Sequence, residues 1–280
     1  MGYQTKYICN IVKNQKLKRI GILGCGWLGT QLASNLNAQK WVVKASRTSS
    51  QGALELKHQG LNSFRVFVTE AGLQGELSFF DNLDQLIVSI PPKRNTVSTY
   101  GAKIKQLIHY LESKSNCKIL LLSSTSIYGK KSGRFDENSI PDPQTSASQE
   151  LLIAEDAVLK YKNHGVVIRL GGLVGEKRNP IFQLHHREIP NPKGHINFLH
   201  QKDAICGIEK LLYKPALSGV FNLVSPHHPI REDYYAFMAK KYHLPTPKFE
   251  TQDTVLKRWI NASKIEEETD FQYQVNNLLI

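Results

Sequence analysis

"RIGILGCGWLGTQLA", residues 19–33, decides the fold. Ile20, Ile22 and Leu23 form a short apolar run of the kind that makes a buried strand, and "WLGTQLASNL" has the spacing of a helix. Between them lies Gly24-x-Gly26-x-x-Gly29. Alone, that spacing says little; after a strand and at the start of a helix it has a physical reading. Gly24 permits a tight turn, Gly26 leaves the backbone open to a pyrophosphate, and Gly29 lets the helix pack close to the strand. The amides near Trp27 and Leu28 then point at an anion, assisted by the helix dipole.

Outward from this turn, strand and helix patterns alternate. "WVVKAS", "SFRVFV", "DQLIVSI", "KILLLSS" and "GVVIRLG" read as further strands. The fourth closes at Pro91-Pro92, since proline cannot continue a central strand. In "TYGAKIKQLIHYLES", Ile104, Leu107, Ile108 and Leu111 share one helical face. Alternation of this kind predicts an α/β fold of Rossmann type, a doubly wound parallel sheet. Past Leu170 the rhythm breaks at Pro180, Pro190 and Pro192. The expected organisation is a polar basic leader over 1–17, a nucleotide-binding domain over 18–175, and a small α+β cap over 176–280 interleaved with the sheet.

Composition excludes several classes. The hydrophobic content of 41% and charged content of 21% belong to a folded chain. The four cysteines, Cys9, Cys25, Cys117 and Cys206, form no C-x-x-C pair, so no disulfide framework or zinc site is expected and a reducing cytoplasm fits. No apolar run is long enough to span a membrane. Net charge is +12, and no acidic residue precedes Glu55. With no nucleic-acid motif present, the basic excess reads as a solvated face that attracts phosphorylated small molecules. The adjacent pairs His185-His186 and His227-His228 split across faces, and no metal site is expected.

The second strand ends "KASRTSS". A dinucleotide site that holds a ribose 2′-hydroxyl ends this strand with a carboxylate. Here Arg47, Thr48 and Ser49 stand instead, and a guanidinium pairs with a 2′-phosphate. NADP is therefore preferred over NAD.

"LLLSSTSIYGKKSG" carries a further signal. With the glycine turn, it resembles the extended short-chain dehydrogenase/reductase superfamily of nucleotide-sugar epimerases and dehydratases. "RLGGLVGEKRNP", "INFLHQKDAICGI", "VFNLVSP" and "INASKIEEETDFQY" resemble later segments of that superfamily, from about Arg19 to Tyr273. "GCGWLG", "SSTSIYG", "GLVG" and "HHPIRED" together resemble its YeeZ-like branch of atypical members. The resemblance implies that Ser124 fills the catalytic Ser/Thr slot. It also implies that Ser123 borders the cofactor, that Gly172 and Leu173 pass beside the nicotinamide, and that the His200–Asp203 unit has a structural role. Tyr128 and Arg178 are the candidate substrate contacts. A homodimer through the family's helix pair would use Ile104, Ile108, Leu152 and Val158.

One element is missing. Superfamily enzymes follow the serine with Tyr-x-x-x-Lys on the next helix, where the tyrosine passes a proton. Aligned on Glu155, these slots hold Ala147 and Leu151, and no Tyr or Lys lies between Ser132 and Val158. Whether the chain is an enzyme is thus left open by the sequence. One expectation is an oxidoreductase-like protein with a different acid, or with a small or nucleotide-linked substrate that needs none. The other is a non-catalytic NADP(H)-binding redox sensor or regulatory module.

Overall fold

The computed structural model describes residues 18–92, 99–251 and 255–280. The basic leader over 1–17 lies outside them. In chain order the elements that build the first part of the sheet and its helices are β1 (Arg19–Leu23), α1 (Trp27–Ala38), β2 (Val42–Arg47), α2 (Ser50–His58), β3 (Asn62–Thr69), β4 (Gly72–Gly75), β5 (Gln85–Val88), α3 (Tyr100–Lys114), β6 (Lys118–Ser124) and α4 (Ser146–Leu159). The strands Gly165–Leu170 and Gly219–Leu223 complete an eight-stranded sheet. Its order is Gly219–Leu223, Gly165–Leu170, β6, β5, β1, β2, β3, β4.

β1 pairs in parallel with both β2 and β5, β2 with β3, and β5 with β6. The α/β fold of Rossmann type expected from the sequence is the one found. The strands near the centre carry unbroken apolar runs because helices cover both faces. Ile20, Ile22, Leu86, Ile87, Ile119, Leu120 and Leu121 are all fully buried. Strand order reverses at β1: the chain first runs outward on one side through β2 and β3, then returns to β1's other side and continues through β5 and β6. Ligands of open α/β sheets bind in the crevice beyond the carboxyl ends of the strands at such a reversal.

Two elements escaped the periodicity. α2 buries only Gly52 and Leu56, so its apolar stripe is too thin to read, and its start is set by Ser49, whose side chain accepts from the Gly52 amide. β4 is a four-residue antiparallel edge strand with glycine at each end. α3 matches its reading: Ile104, Leu107, Ile108 and Leu111 are buried.

The chain divides into two compact units. The first runs to Ser123 and takes in Thr145–Ile168 and Leu211–Val220; the second is Ser124–Gln144, Arg169–Lys210 and Phe221–Ile280. In the second, short strands pair in parallel, Gly172–Val174 with Phe198–His200 and Gly133–Phe135 with Arg258–Ile260. Its own core gathers Ile181, Ile189, Ile196, Tyr234 and Met238. Asp203 accepts from the Gln274 and Val275 amides and so anchors the C-terminal segment. The described cysteines, Cys25, Cys117 and Cys206, are buried and form no disulfide among the described residues. No helix among the described residues is long and apolar enough to cross a membrane.

Candidate functional site

The turn after β1 is built by its glycines. Gly24 has φ +94°, and a Cβ there would lie 2.6 Å from Ile90 Cγ2. A Cβ on Gly29 would lie 3.0 Å from the Gly24 carbonyl oxygen, so glycine lets α1 start hard against the turn. Above Gly26 a Cβ would meet nothing within 4 Å. Gly26 caps α1 with no side-chain hydrogen bond, and the first turn has no acidic residue. The positive end of α1, at Trp27 and Leu28, is therefore not neutralised by any side chain of its own first turn. The turn is pinned from β2: Gly24 N–H donates to Ser46 Oγ at 3.1 Å and Cys25 N–H to the Ser46 carbonyl at 2.8 Å. Burial pushes the Cys25 thiol up to about 12, so it is an inert packing residue.

At the end of β2, Arg47 Nη2 donates to Thr30 Oγ1 over a long 3.5 Å. Its Nε is buried and has no hydrogen-bond partner among the described residues. Thr48 follows, and its carbonyl accepts from Arg65 Nε at 3.2 Å. The Ser49 oxygen is committed to capping α2 through the Gly52 amide at 3.0 Å. A cavity of about 400 Å³ lies here, lined by Leu23, Gly24, Ser46, Arg47, Thr48, Val66, Val68, Glu70, Ile90, Pro91, Thr99, Tyr100 and Lys103. It falls within the size range of small-molecule sites.

The α3 wall of this cavity was missed by the sequence reading. A signal existed, because Pro91-Pro92 ends β5 at the sheet's carboxyl edge and the next helix must begin there. The start of α3 is fixed by α4: Gly101 N–H donates to Glu150 Oε2 at 2.7 Å, and a Cβ on Gly101 would fall 2.4 Å from Ile153 Cγ2. Tyr100 is buried, and its hydroxyl has no partner among the described residues. Burial, then the nearby Glu155 carboxylate, push its pKa well above the ordinary phenol range.

β6 delivers the two serines to opposite faces, as alternation requires. Ser123 Oγ donates to Glu155 Oε1 of α4 at 2.5 Å, in a buried pair. Ser124 accepts from the Ser126 amide at 3.1 Å, capping the turn Thr125–Tyr128, and is half-buried. α4 begins with a capping box between Thr145 and Ser148. On it Ala147 is half-buried and Leu151 buried, four residues apart on one face. The helix carries no tyrosine or lysine.

In the second unit Tyr128 has no exposed surface. Its hydroxyl donates to Asn222 Oδ1 at 2.9 Å and accepts from Arg169 Nη1 at 2.8 Å. The hydroxyl's donor and one acceptor position are thus used within the second unit. Arg178 is exposed, in a turn that bridges back to Gly175. Gly172 opens the strand beside Phe198, where a Cβ would fall 2.6 Å from Phe198 Cδ1, and Leu173 follows it half-buried. Of the residues named for a helix-pair dimer, Ile104, Ile108 and Val158 are buried within the first unit's own packing and Leu152 is half-buried.

No protein-family model matches the chain. Protein YeeZ of Escherichia coli K12 is 28% identical over 270 residues, covering 94% of this chain and 98% of YeeZ. The chain is a relative of YeeZ with the extended short-chain dehydrogenase/reductase fold. Among solved structures, the Bordetella bronchiseptica enzyme WbmG in complex with NAD superposes with a TM-score of 0.78 at 18% identity, covering 96% of this chain and 93% of WbmG. UDP-glucuronic acid 4-epimerase from Bacillus cereus, also in complex with NAD, gives 0.76 at 18% identity over 93% of each chain. At such identities the likeness is one of fold. The similarity to YeeZ runs along nearly the whole sequence.

Proposed function

We propose that the chain binds a nicotinamide dinucleotide, NADP(H) in preference to NAD(H), and acts as an oxidoreductase-like protein of the extended short-chain type. The observation that carries this reading is the cavity beside the glycine turn. The open backbone at Gly26 and the unneutralised start of α1, at Trp27 and Leu28, suit a pyrophosphate. Arg47 and Thr48, where a carboxylate would favour a 2′-hydroxyl, suit a 2′-phosphate. Ser49 Oγ accepts from the Gly52 amide and so sets α2, and its hydroxyl hydrogen would be the part that meets the phosphate. Bound there, the nucleotide would supply hydride chemistry. The chain's part is to hold the phosphates, to present Ser124 to a substrate oxygen, and to place Gly172 and Leu173 along the nicotinamide. Residues 176–280 would select a small or nucleotide-linked substrate, with Arg178 as the candidate contact for an anionic group. Tyr128 is kept as framework.

The second reading is a redox-state sensor without turnover. It is favoured by Ala147 and Leu151 in the proton-relay slots, since general acid–base help of that type is worth about 10²–10⁴ in rate. A fluorescence titration with NADPH and NADH side by side tests the first step. Tighter binding of NADPH that is lost in Arg47→Ala supports the site; no binding of either nucleotide ends both readings. A substrate-dependent loss of NADPH absorbance then separates enzyme from sensor.

A further inference from the structure

Resting on the NADP(H) reading, we propose that Lys103 is a second determinant of nucleotide choice. Its ammonium, from the first turns of α3, would meet the same ribose 2′-phosphate that Arg47 meets from the end of β2.

The argument is one of charge inside a single cavity. Two cations line it, Arg47 and Lys103, against one acid, Glu70, which is exposed. Arg47 has a buried Nε with no acceptor, a long hydrogen bond to Thr30, and no ion pair among the described residues. Lys103 is half-buried and makes no ion pair or side-chain hydrogen bond among the described residues. A cavity with two cations on its lining and one exposed acid is left with a positive excess, which an incoming dianion would neutralise. A phosphate monoester fits that need: a planar guanidinium engages it with paired N–H groups, while an ammonium adds a point charge from another side. Lys103 is held to this duty by the start of its helix. The Gly101 amide bonded to Glu150, the close seat of Ile153 on Gly101, and the buried Tyr100 ring all fix the turn from which it projects.

Gly24 lines the same cavity, so Lys103 has two phosphates within its neighbourhood in principle, and the test separates them. Wild type, Lys103→Gln, Arg47→Gln and the double variant are titrated with NADPH, NADH, 2′-AMP and 5′-AMP, with thermal melting as a check that each variant is folded. Lys103→Gln is expected to weaken NADPH and 2′-AMP by about tenfold or more, as for a lost charged hydrogen bond, and to leave NADH and 5′-AMP within about twofold. Equal weakening of NADPH and NADH would put Lys103 on the pyrophosphate and overturn the proposal. No change with any nucleotide would make it a solvated lysine and overturn it equally, while leaving the dinucleotide reading intact. Failure of wild type to bind either dinucleotide would remove both.

Discussion

Ser123 Oγ, at the end of β6, lies 2.5 Å from Glu155 Oε1 of α4, and both side chains are closed off from solvent. A carboxylate taken out of water needs donors. This bond supplies one of them and ties the central sheet to the helix that carries Ala147 and Leu151. Ser123→Ala removes the donor. Unfolding in urea should show a loss of about 1.5–3 kcal/mol, the range for a hydrogen bond to a charged group. An unchanged midpoint would mean that Glu155 is held entirely by its other neighbours.

Tyr100 makes the opposite prediction. Its hydroxyl is buried with no partner among the described residues, so Tyr100→Phe removes a desolvated group and keeps the ring. Stability should hold or rise by about 1 kcal/mol. A loss of that size or more, by the same urea measurement, would show that the hydroxyl finds a partner in solution.

Gly101 should act as a steric gate between α3 and α4. The Cβ of Gly101→Ala would sit 2.4 Å from Ile153 Cγ2, and the cost expected for such overpacking is about 1–3 kcal/mol. Ile153→Ala should restore part of it in the double variant, since it removes Cγ2 but keeps the Cβ at 2.8 Å, a coupling that a double-mutant cycle reads directly. Additive losses would show that the two helices do not meet at this point.

His228 gives the pH dependence. Its ring is buried against Trp259 at a centroid distance of 4.0 Å, with Nδ1 3.2 Å from the Ile196 carbonyl oxygen. Burial, then the neighbouring His195 and His227, hold its pKa down to about 4 from 6.5. The unfolded chain therefore takes up a proton as pH falls through 6.5, while the native state resists until about 4. The group's contribution is fully present above pH 6.5 and is lost on the way down to about 4, at most about 3 kcal/mol. His228→Asn should flatten the stability profile in that window. Equal slopes in the variant and the wild type would contradict a buried neutral imidazole.

The dinucleotide-type turn was legible because its cause is local. Gly24, Gly26 and Gly29 are needed for backbone conformation and close approach within a dozen residues, and the apolar strands declare themselves by composition. α2 was not legible, since a helix that buries a single side chain, Leu56, leaves no period. Tyr128 looked like a substrate contact from its place after a serine-rich strand end. Its partners, Asn222 and Arg169, are distant in sequence, and only the folded second unit brings them to its hydroxyl.

By itself, then, the sequence determined the α/β alternation, the glycine turn, the arginine in place of a carboxylate after β2, and the absence of the Tyr-x-x-x-Lys pair. These are properties of residue identity and short spacing. Tertiary structure alone decided that the first turns of α3 form the second wall of the cavity beside the glycine turn, that Ser123 serves Glu155, and that Arg47 and Lys103 line one space. The reason is that β1 stands between β2 and β5. This strand order places Arg47 and Lys103 at the same edge of the sheet although they are far apart in the chain, and no local pattern encodes which strands become neighbours.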